Sequence, residues 1–215
     1  MIKWLEDAVF YEVYPQSFRD SNGDGIGDIP GITEKLEYIQ ELGCNALWIN
    51  PCFTSPFYDA GYDVEDYYSV APRYGTNEDL KKLFEAAHQR GMHVLLDLVP
   101  GHTAVTHPWF QESMKAEKNE YTDRYVWTDS LYKRMEDVKG IVSVLRGISP
   151  RPASCGVNCF STQPALNYGF ANITDAGWQQ PTDAPGPMAT REELKNIMRF
   201  WLTLGCDGFR VDMAG

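Results

Sequence analysis

Arg210 and Asp212 are the residues whose types and spacing point most directly to chemistry. They end a short apolar run, and side chains alternate between the two faces of a strand, so both are expected on the same face. A guanidinium beside an aspartate favours the ionised carboxylate. The pair therefore predicts a carboxylate nucleophile at Asp212.

A second segment has the oxygen chemistry of a calcium loop. Residues 20–28, DSNGDGIGD, place oxygen-bearing side chains at the first, third, fifth and ninth positions, with glycines between them. Ca²⁺ prefers several hard oxygen ligands. An EF-hand needs a glutamate at the twelfth position, where Gly31 stands, so we expect another kind of calcium loop, and an acidic turn is the alternative. The candidate ligands are Asp20, Asn22, Asp24, the carbonyl of Ile26, and Asp28.

Two further pairs of residues are candidates for a site, and the first of them suits a polyol. Asp59 can accept hydrogen bonds from hydroxyl groups, and Tyr62, three residues later, can cover the apolar face of a sugar. Asp97 and His102 follow the third predicted strand. Each of these residues alone is more often structural, but their positions after successive strands favour one common pocket.

Composition excludes some partners. The chain has 215 residues and a net charge of -11, which argues against nucleic acid and against an anionic membrane surface. The N-terminus has no apolar signal region and no run is long enough to span a membrane, so we expect a cytoplasmic protein. Five irregularly spaced cysteines do not resemble a disulfide framework. Cys155 and Cys159 are a candidate metal or redox pair, although reduced thiols are the more usual interpretation.

Short apolar strands alternate with amphipathic helices along the chain. The predicted strands are Phe10–Tyr14, Ala46–Asn50, Met92–Val99 and Gly208–Asp212. The predicted helices are Ile32–Leu42, a helix capped by Asn77 that runs through Gln89, and a helix from a capping box at Thr190 and Glu193 to about Leu204.

This alternation predicts an α/β fold with a parallel sheet covered by helices. The stretch from about 102 to 187 is too long for a loop and too rich in aromatic residues for a linker, so we interpret it as an inserted irregular subdomain. The polar residues collect at the carboxyl ends of the predicted strands, where parallel α/β folds have their sites.

Six motifs in order resemble the α-amylase family of glycoside hydrolases, in particular its oligo-1,6-glucosidase, α-glucosidase and neopullulanase-like branches. They are YEVYPQSFRDSNGDGIGD, GCNALWINP, DAGYDVEDYY, DLVPGH, QPALNYGF and DGFRVD. The resemblance implies the N-terminal half of a TIM (β/α)8 barrel, about four βα units, with a B domain inserted after the third strand. The implied segments are barrel residues 1–102, an inserted domain at 103–187 and barrel residues 188–215.

The resemblance also implies an α-glucan or oligosaccharide substrate, a retaining mechanism and a Ca²⁺ site in the first βα loop. Asp212 resembles the nucleophile, and Arg210 the residue that orients it. The sugar-binding subsite is implied for Asp59, Tyr62 and His102, with Asp97 as the buried carboxylate that supports it and Asn167 as part of the motif that ends the B domain. The family's usual asparagine before His102 is replaced by Gly101, which puts one hydrogen bond in doubt.

Retaining chemistry needs a second carboxylic acid about 5–5.5 Å from the nucleophile. In this family it is a glutamate after the fifth strand, so we expect this chain to lack it and to be inactive alone. Two alternatives stay open. One is a non-catalytic half-barrel that binds sugar or calcium, or pairs through its open sheet edges with another copy or a C-terminal half-barrel. The other is a transglycosylase on the same scaffold.

Overall fold

The computed structural model describes residues 2–133 and 143–213. Its strands are β1 Phe10–Val13, β2 Ala46–Ile49, β3 Phe53–Thr54, β4 Asp66–Val70, β5 His93–Leu98, β6 Ser143–Leu145, β7 Cys155–Val157 and β8 Gly208–Val211. Its α-helices are α1 Pro15–Phe18, α2 Ile29–Glu34, α3 Leu36–Glu41, α4 Asn77–Gln89, α5 Pro108–Ser113 and α6 Pro185–Leu204. Residues 134–142 of the predicted insert and Ala214 lie outside the described residues.

A parallel sheet of four strands in the order β1-β2-β5-β8 is the framework of the fold. Its inner strand β2 is buried at three of its four residues, and β5 is buried over most of its length. Such nearly continuous apolar strands are typical of a parallel sheet that is covered on both faces. All four predicted strands are confirmed, each with ends within one residue of the prediction.

The first predicted helix is wrong as one continuous element. The structure has two short helices, α2 and α3, which meet at Lys35, where the backbone leaves the helical region with φ -105° and ψ 7°. Helix α2 begins three residues before the predicted Ile32 because Asp28 caps it, accepting a hydrogen bond from the Gly31 N–H at 2.7 Å. The apolar spacing identified the buried residues Ile32, Leu36 and Ile39, but Leu42 is 53% exposed, and the spacing gave no signal for the break.

The cap of α4 is also corrected, from Asn77 to Thr76. Thr76 and Asp79 form a reciprocal capping box, each side chain accepting from the other's backbone N–H. The Asn77 side chain instead bonds to strand β4, accepting from Val70 N and donating to Tyr68 O, both at 2.8 Å. The predicted end at Gln89 is confirmed.

Helix α6 begins at Pro185, so the predicted capping box at Thr190 is wrong. Proline is favoured in the first turn of a helix because no intrahelical partner awaits its missing N–H. Thr190 lies inside the helix and donates its hydroxyl back to the carbonyl of Gly186 at 3.0 Å. The predicted end at Leu204 is correct, and Gly205 follows with a φ of 120°.

The described residues form two compact units, the first made of 2–54, 66–98 and 198–213 and the second of 55–65, 99–133 and 143–197. The first unit contains the parallel sheet, and its core includes Trp201, which stacks on Phe53 at 5.1 Å and donates its indole N–H to Tyr67 O at 2.7 Å.

The second unit is largely irregular. It contains α5 and the antiparallel pair β6 and β7. A small core of Val126, Ala165 and Trp178 is packed against Val144 and Phe170. In the described part of the chain, no helix has the length and apolar character needed to cross a membrane.

Candidate active site

In the first unit, a series of charged contacts lies at the carboxyl ends of strands β5 and β8. Asp97 and Arg210 are opposite each other in the parallel register, and Arg210 Nη1 lies 3.1 Å from Asp97 Oδ1. The same nitrogen lies 2.8 Å from Asp212 Oδ1. The Asp97 side chain is fully buried, whereas 14% of the Asp212 side chain is exposed. Arg210 is therefore fixed by a buried carboxylate and presents its charge to a more accessible one.

Trp48 on β2 completes this cluster. Its indole N–H donates to Asp97 Oδ2 at 3.1 Å, and its ring lies beneath the Arg210 guanidinium, 4.7 Å from the ring centroid. The two contacts hold Asp97 and Arg210 at once, one by a charge-assisted hydrogen bond and the other by a cation–π interaction. Trp48 was not among the predicted site residues.

The loop before β4, in the second unit, is organised by a buried carboxylate, Asp63. Its Oδ1 accepts from the Ser55 hydroxyl at 2.9 Å and from Asp59 N at 3.1 Å, and its Oδ2 accepts from Tyr58 N at 2.9 Å. These bonds support a left-handed backbone at Phe57, with a φ of 60°. Such a conformation is costly outside glycine and persists only where the surroundings fix it.

Asp59 and Tyr62 lie on this loop. The Asp59 carboxylate accepts a hydrogen bond from Gln163 Nε2 at 2.6 Å, and the Gln163 side chain is fully buried. The carbonyl of Tyr62 lies 3.0 Å from His102 Nε2. The structure therefore brings three predicted sugar-binding residues, Asp59, Tyr62 and His102, into one connected region of the second unit.

His102 is buried, and both of its ring nitrogens have partners. Asn158 Nδ2 can only donate, so Nδ1 of His102 accepts that bond at 3.3 Å and Nε2 carries the proton that is donated to Tyr62 O. A side chain at position 101 would overlap the Asn158 amide, so Gly101 leaves the space that Asn158 fills. Asn158, 56 residues away in the sequence, thus supplies a hydrogen bond to the His102 ring.

Asn167 has a different environment from the other predicted sugar-binding residues. Its Nδ2 donates to Asp123 O at 3.1 Å and to Gln180 Oε1 at 3.0 Å, and its Oδ1 accepts from Gly169 N at 3.0 Å. It is buried, with 4% exposed. These bonds place Asn167 in the framework of the second unit.

The five predicted calcium ligands lie on one loop, but the oxygens of that loop mainly accept bonds from its own amides. Asp20 accepts from Gly23 N at 2.6 Å and Gly25 N at 2.8 Å, and the Gly25 amide bond is the main cause of its lowered pKa. Asn22 Oδ1 accepts from Asp24 N at 2.9 Å, and Asp24 Oδ1 from Ile26 N at 2.8 Å.

Asp28 is committed to the start of α2, and its second oxygen accepts from the Ser21 hydroxyl at 2.8 Å. The donor set is the hard-oxygen type that Ca²⁺ prefers. Within residues 2–133 and 143–213, however, no three His, Cys, Asp or Glu side chains converge as a metal site would require. Calcium binding therefore stays a prediction.

Sequence reasoning missed four residues that hold the predicted ones: Trp48, Asp63, Asn158 and Gln163. Trp48, Asp63 and Gln163 stand inside quoted motifs, so their presence was visible although their contacts were not. Asn158 and Gln163 lie 56 and 104 residues from their partners His102 and Asp59. No local pattern could have indicated those pairs.

A parallel βα sheet with charged groups at the carboxyl ends of its strands is the arrangement of α/β enzymes, barrels among them. The family model for the α-amylase catalytic domain matches residues 12–215, and the chain belongs to the α-amylase family. It is similar to the oligo-1,6-glucosidase of Bacillus sp. strain F5, with 38% identity over all of this chain and 40% of the relative. It is also similar to the trehalose synthase/amylase TreS of Mycolicibacterium smegmatis, with 43% identity over 97% of this chain and 33% of the relative.

Among solved structures, the α-glucosyl transfer enzyme XgtA is similar, with 39% identity and a TM-score of 0.80 over 97% of this chain and 36% of that protein. The chain thus spans about two fifths or less of the length of these relatives. Its fold is the N-terminal half of a TIM barrel, as predicted, since the match covers only the N-terminal part of barrel enzymes.

Proposed function

We propose that this chain is the nucleophile-bearing half of a retaining α-glucoside hydrolase that acts on starch-derived glucans or oligosaccharides. The observation that carries the proposal is the position of Arg210 Nη1 between Asp97 and Asp212. Held by a buried carboxylate, the guanidinium fixes one carboxylate oxygen of Asp212 in a single direction. That is the preorganisation a carboxylate nucleophile needs.

In the proposed reaction, one carboxylate oxygen of Asp212 attacks the anomeric carbon and forms a glucosyl ester. The bond to the leaving oxygen breaks, and that oxygen needs a proton from a second carboxylic acid. We assign no residue of this chain to that role. Ordinary glucosides are therefore expected to show no turnover with the 215-residue chain alone. Asp59, Tyr62 and His102 would hold the sugar ring.

An activated sugar tests the nucleophile without the missing acid. 5-Fluoro-α-glucosyl fluoride needs no protonation of its leaving group, because fluoride departs unprotonated as the Asp212 ester forms. We expect the intact mass to rise by one fluoroglucosyl group and peptide mapping to place the group on Asp212. Asp212→Asn should remain unlabelled. A label on another residue, or equal labelling of the variant, would contradict the assignment.

Transfer to a second sugar is the alternative reaction. XgtA and TreS, whose names include glucosyl transfer and trehalose synthesis, are among the similar proteins. Both reactions use the same nucleophile and differ in whether water or a sugar hydroxyl attacks the ester. Incubating maltose with a longer protein that carries this chain, and separating the products, distinguishes glucose release from new disaccharides.

A non-catalytic half-barrel is the other candidate. The sheet order leaves β1 and β8 at its two ends, where each has one neighbouring strand. Those ends could pair with another copy or with a C-terminal half-barrel.

We also propose that residues 20–28 bind Ca²⁺, on the strength of their oxygen spacing. A metal that binds only the native state raises the melting temperature by mass action. The melting temperature is therefore expected to rise with added calcium and to fall with chelator. Asp24→Asn should abolish most of this difference. An identical melting curve in calcium and chelator would leave the loop as an acidic turn.

A further inference from the structure

A cavity in the second unit lies among residues that the proposed reaction does not use. Its volume is about 170 Å³. Pockets for drug-sized ligands measure about 300–1,000 Å³, so this cavity suits one small ring or a short chain of atoms. A chain of several sugars would not fit.

The cavity wall carries one acidic and one basic residue, Asp123 and Arg151. Arg151 Nη1 donates to Ser113 O at 2.8 Å and Thr122 O at 2.9 Å. Burial lowers the pKa of Arg151, and the opposite charge of Asp123 partly offsets that shift. The two side chains balance each other's charge, so the cavity favours a neutral ligand over an anion or a cation.

Some polar groups in the cavity wall can still form hydrogen bonds with a ligand. Asn167 donates to Gln180 Oε1, which fixes the Gln180 amide and turns its NH2 group away from Asn167. In the described part of the chain, neither this NH2 group nor the Asp123 carboxylate forms a hydrogen bond to protein. Arg151 likewise uses only Nη1. The wall thus offers both donors and an acceptor, which is the pattern a hydroxyl group matches, since it donates and accepts at once.

Aromatic rings supply the apolar part of the wall. Trp127 and Trp178 line the cavity and are 7% and 8% exposed, and Phe170 packs edge-on against Trp178 at 5.3 Å. Arg151 covers one face of Trp127 at 4.3 Å from the ring centroid and Phe110 stacks on the same ring at 6.1 Å, so Trp178 and Phe170 are left to make the apolar contact. Rings beside uncommitted donors and an acceptor suit a ligand with C–H groups on one side and hydroxyls on the other.

We infer that this cavity is a second binding site, specific for one neutral polyol of about monosaccharide size. The inference does not depend on the proposed nucleophile, because no residue of the Asp97–Arg210–Asp212 cluster lines the cavity. Binding is weak, since few atoms of so small a ligand make contact.

Indole N–H resonances of the 215-residue chain test the site, because Trp127 and Trp178 line the cavity while Trp48 contacts Asp97 and Arg210. Titration with D-glucose should shift the Trp127 and Trp178 resonances saturably. Shifts of Trp48 alone would show sugar at the proposed active site and overturn this inference, and so would saturable shifts with inorganic phosphate but not glucose. If Trp48 fails to respond while the cavity resonances do, the proposed function is weakened and the second site stands.

Two near-isosteric variants provide the controls. Gln180→Glu keeps the oxygen that accepts from Asn167 but removes the free NH2 donor, and it should weaken glucose binding at the cavity about tenfold. Asp123→Asn exchanges one of the two acceptor oxygens for an NH2 donor and removes the charge, and it gives a second test if the first variant does not fold. Asp212→Asn should leave the cavity shifts unchanged. Unchanged affinity in both folded cavity variants would overturn the inference.

Discussion

At the scale of single residues, the cluster at the ends of β5 and β8 depends on Trp48. Trp48→Phe keeps a ring beneath Arg210 but removes the N–H donated to buried Asp97. A hydrogen bond to a charged group contributes about 1.5–3 kcal/mol, and we expect the free energy of unfolding to fall by that amount. Urea denaturation of wild type and variant measures this loss of free energy of unfolding. Labelling of Asp212 by the activated sugar should also slow, because Arg210 loses part of its support.

The matched control is Trp4→Phe. Trp4 stacks on His93 at 4.1 Å, and its indole N–H bonds to none of the described residues. This variant should label at the wild-type rate. If Trp48→Phe is less stable but also labels at that rate, Trp48 supports only the fold. Trp48→Leu removes the ring as well and should label more slowly than Trp48→Phe.

Gly101 and Asn158 are expected to be coupled. Gly101→Ala places a methyl group on the Asn158 amide, which must leave His102 Nδ1. Overpacking of this kind costs about 1–3 kcal/mol. In an Asn158→Ala background the same substitution meets no amide and should cost little, so a double-mutant cycle should give a coupling of about 1 kcal/mol or more.

The His102 ring nitrogen resonances provide a second measurement of this coupling. In the wild type, the proton should be on Nε2, whereas Gly101→Ala should broaden or shift Nδ1. Additive effects of the two substitutions on the free energy of unfolding would show that Asn158 does not occupy the space at Gly101.

The predicted site residues were easier to identify from the sequence than the residues that hold them in place. Arg210 and Asp212 are two positions apart, so the alternation of a strand was enough to place them together. Gln163 reaches Asp59 across 104 residues, and Asp97 meets Arg210 across 113. The contact between Asp97 and Arg210 could be predicted because parallel strands align their carboxyl ends. The contact between Gln163 and Asp59 depends on the path of an irregular segment.

At the scale of elements, strands were predicted better than helix starts. A strand buried in a parallel sheet has an apolar run with clear ends, and β5 follows that run almost completely. Helix starts depend on which of several polar residues caps the helix. Thr76 and Asn77 are both favourable capping residues. The Asn77 side chain is bonded to β4, so Thr76 caps the helix.

Asp207 links three elements, the end of α4 and the starts of β5 and β8. Its carboxylate accepts from His88 Nε2 at 2.8 Å, His93 Nδ1 at 2.9 Å and Val94 N at 2.8 Å. Burial alone would raise the pKa of Asp207, but the bonds from His93, His88 and Val94 outweigh it and lower the pKa.

A lowered pKa in the folded state means that Asp207 stabilises the fold above its unfolded value of about 3.9, and that this contribution is lost as the pH falls through the folded pKa. Asp207→Asn should therefore reduce the free energy of unfolding by about 1–3 kcal/mol at pH 7. The gap between wild type and variant should close below pH ~4. Urea denaturation across this range measures it.

Glu37→Gln, an exposed carboxylate on α3, is the control and should change the free energy of unfolding by less than about 0.5 kcal/mol at any pH. A gap for Asp207→Asn that stays constant from pH 3 to pH 7 would mean that the carboxylate charge is not what joins the three elements.

At the scale of the whole molecule, the net charge and the two end strands of the sheet have opposite effects on association between copies. A charge of -11 keeps copies apart, while β1 and β8 offer unpaired backbone groups beside exposed apolar side chains. Phe10 on β1 is 39% exposed and Val211 on β8 is 45% exposed. Salt screens the charge repulsion but leaves backbone pairing almost unchanged.

We therefore expect the 215-residue chain to self-associate, and to do so more strongly at higher salt. Val211→Lys puts a charge on the β8 end and should shift the light-scattering mass towards the monomer. Leu42→Lys makes a similar change at a 53% exposed position at the end of α3, outside both end strands, and should leave the mass unchanged. If both lysine variants reduce association equally, added charge at any site is enough and edge pairing is not the cause. A monomer at every salt concentration would remove the half-barrel assembly from the candidate functions and leave the nucleophile at Asp212 as the property to test.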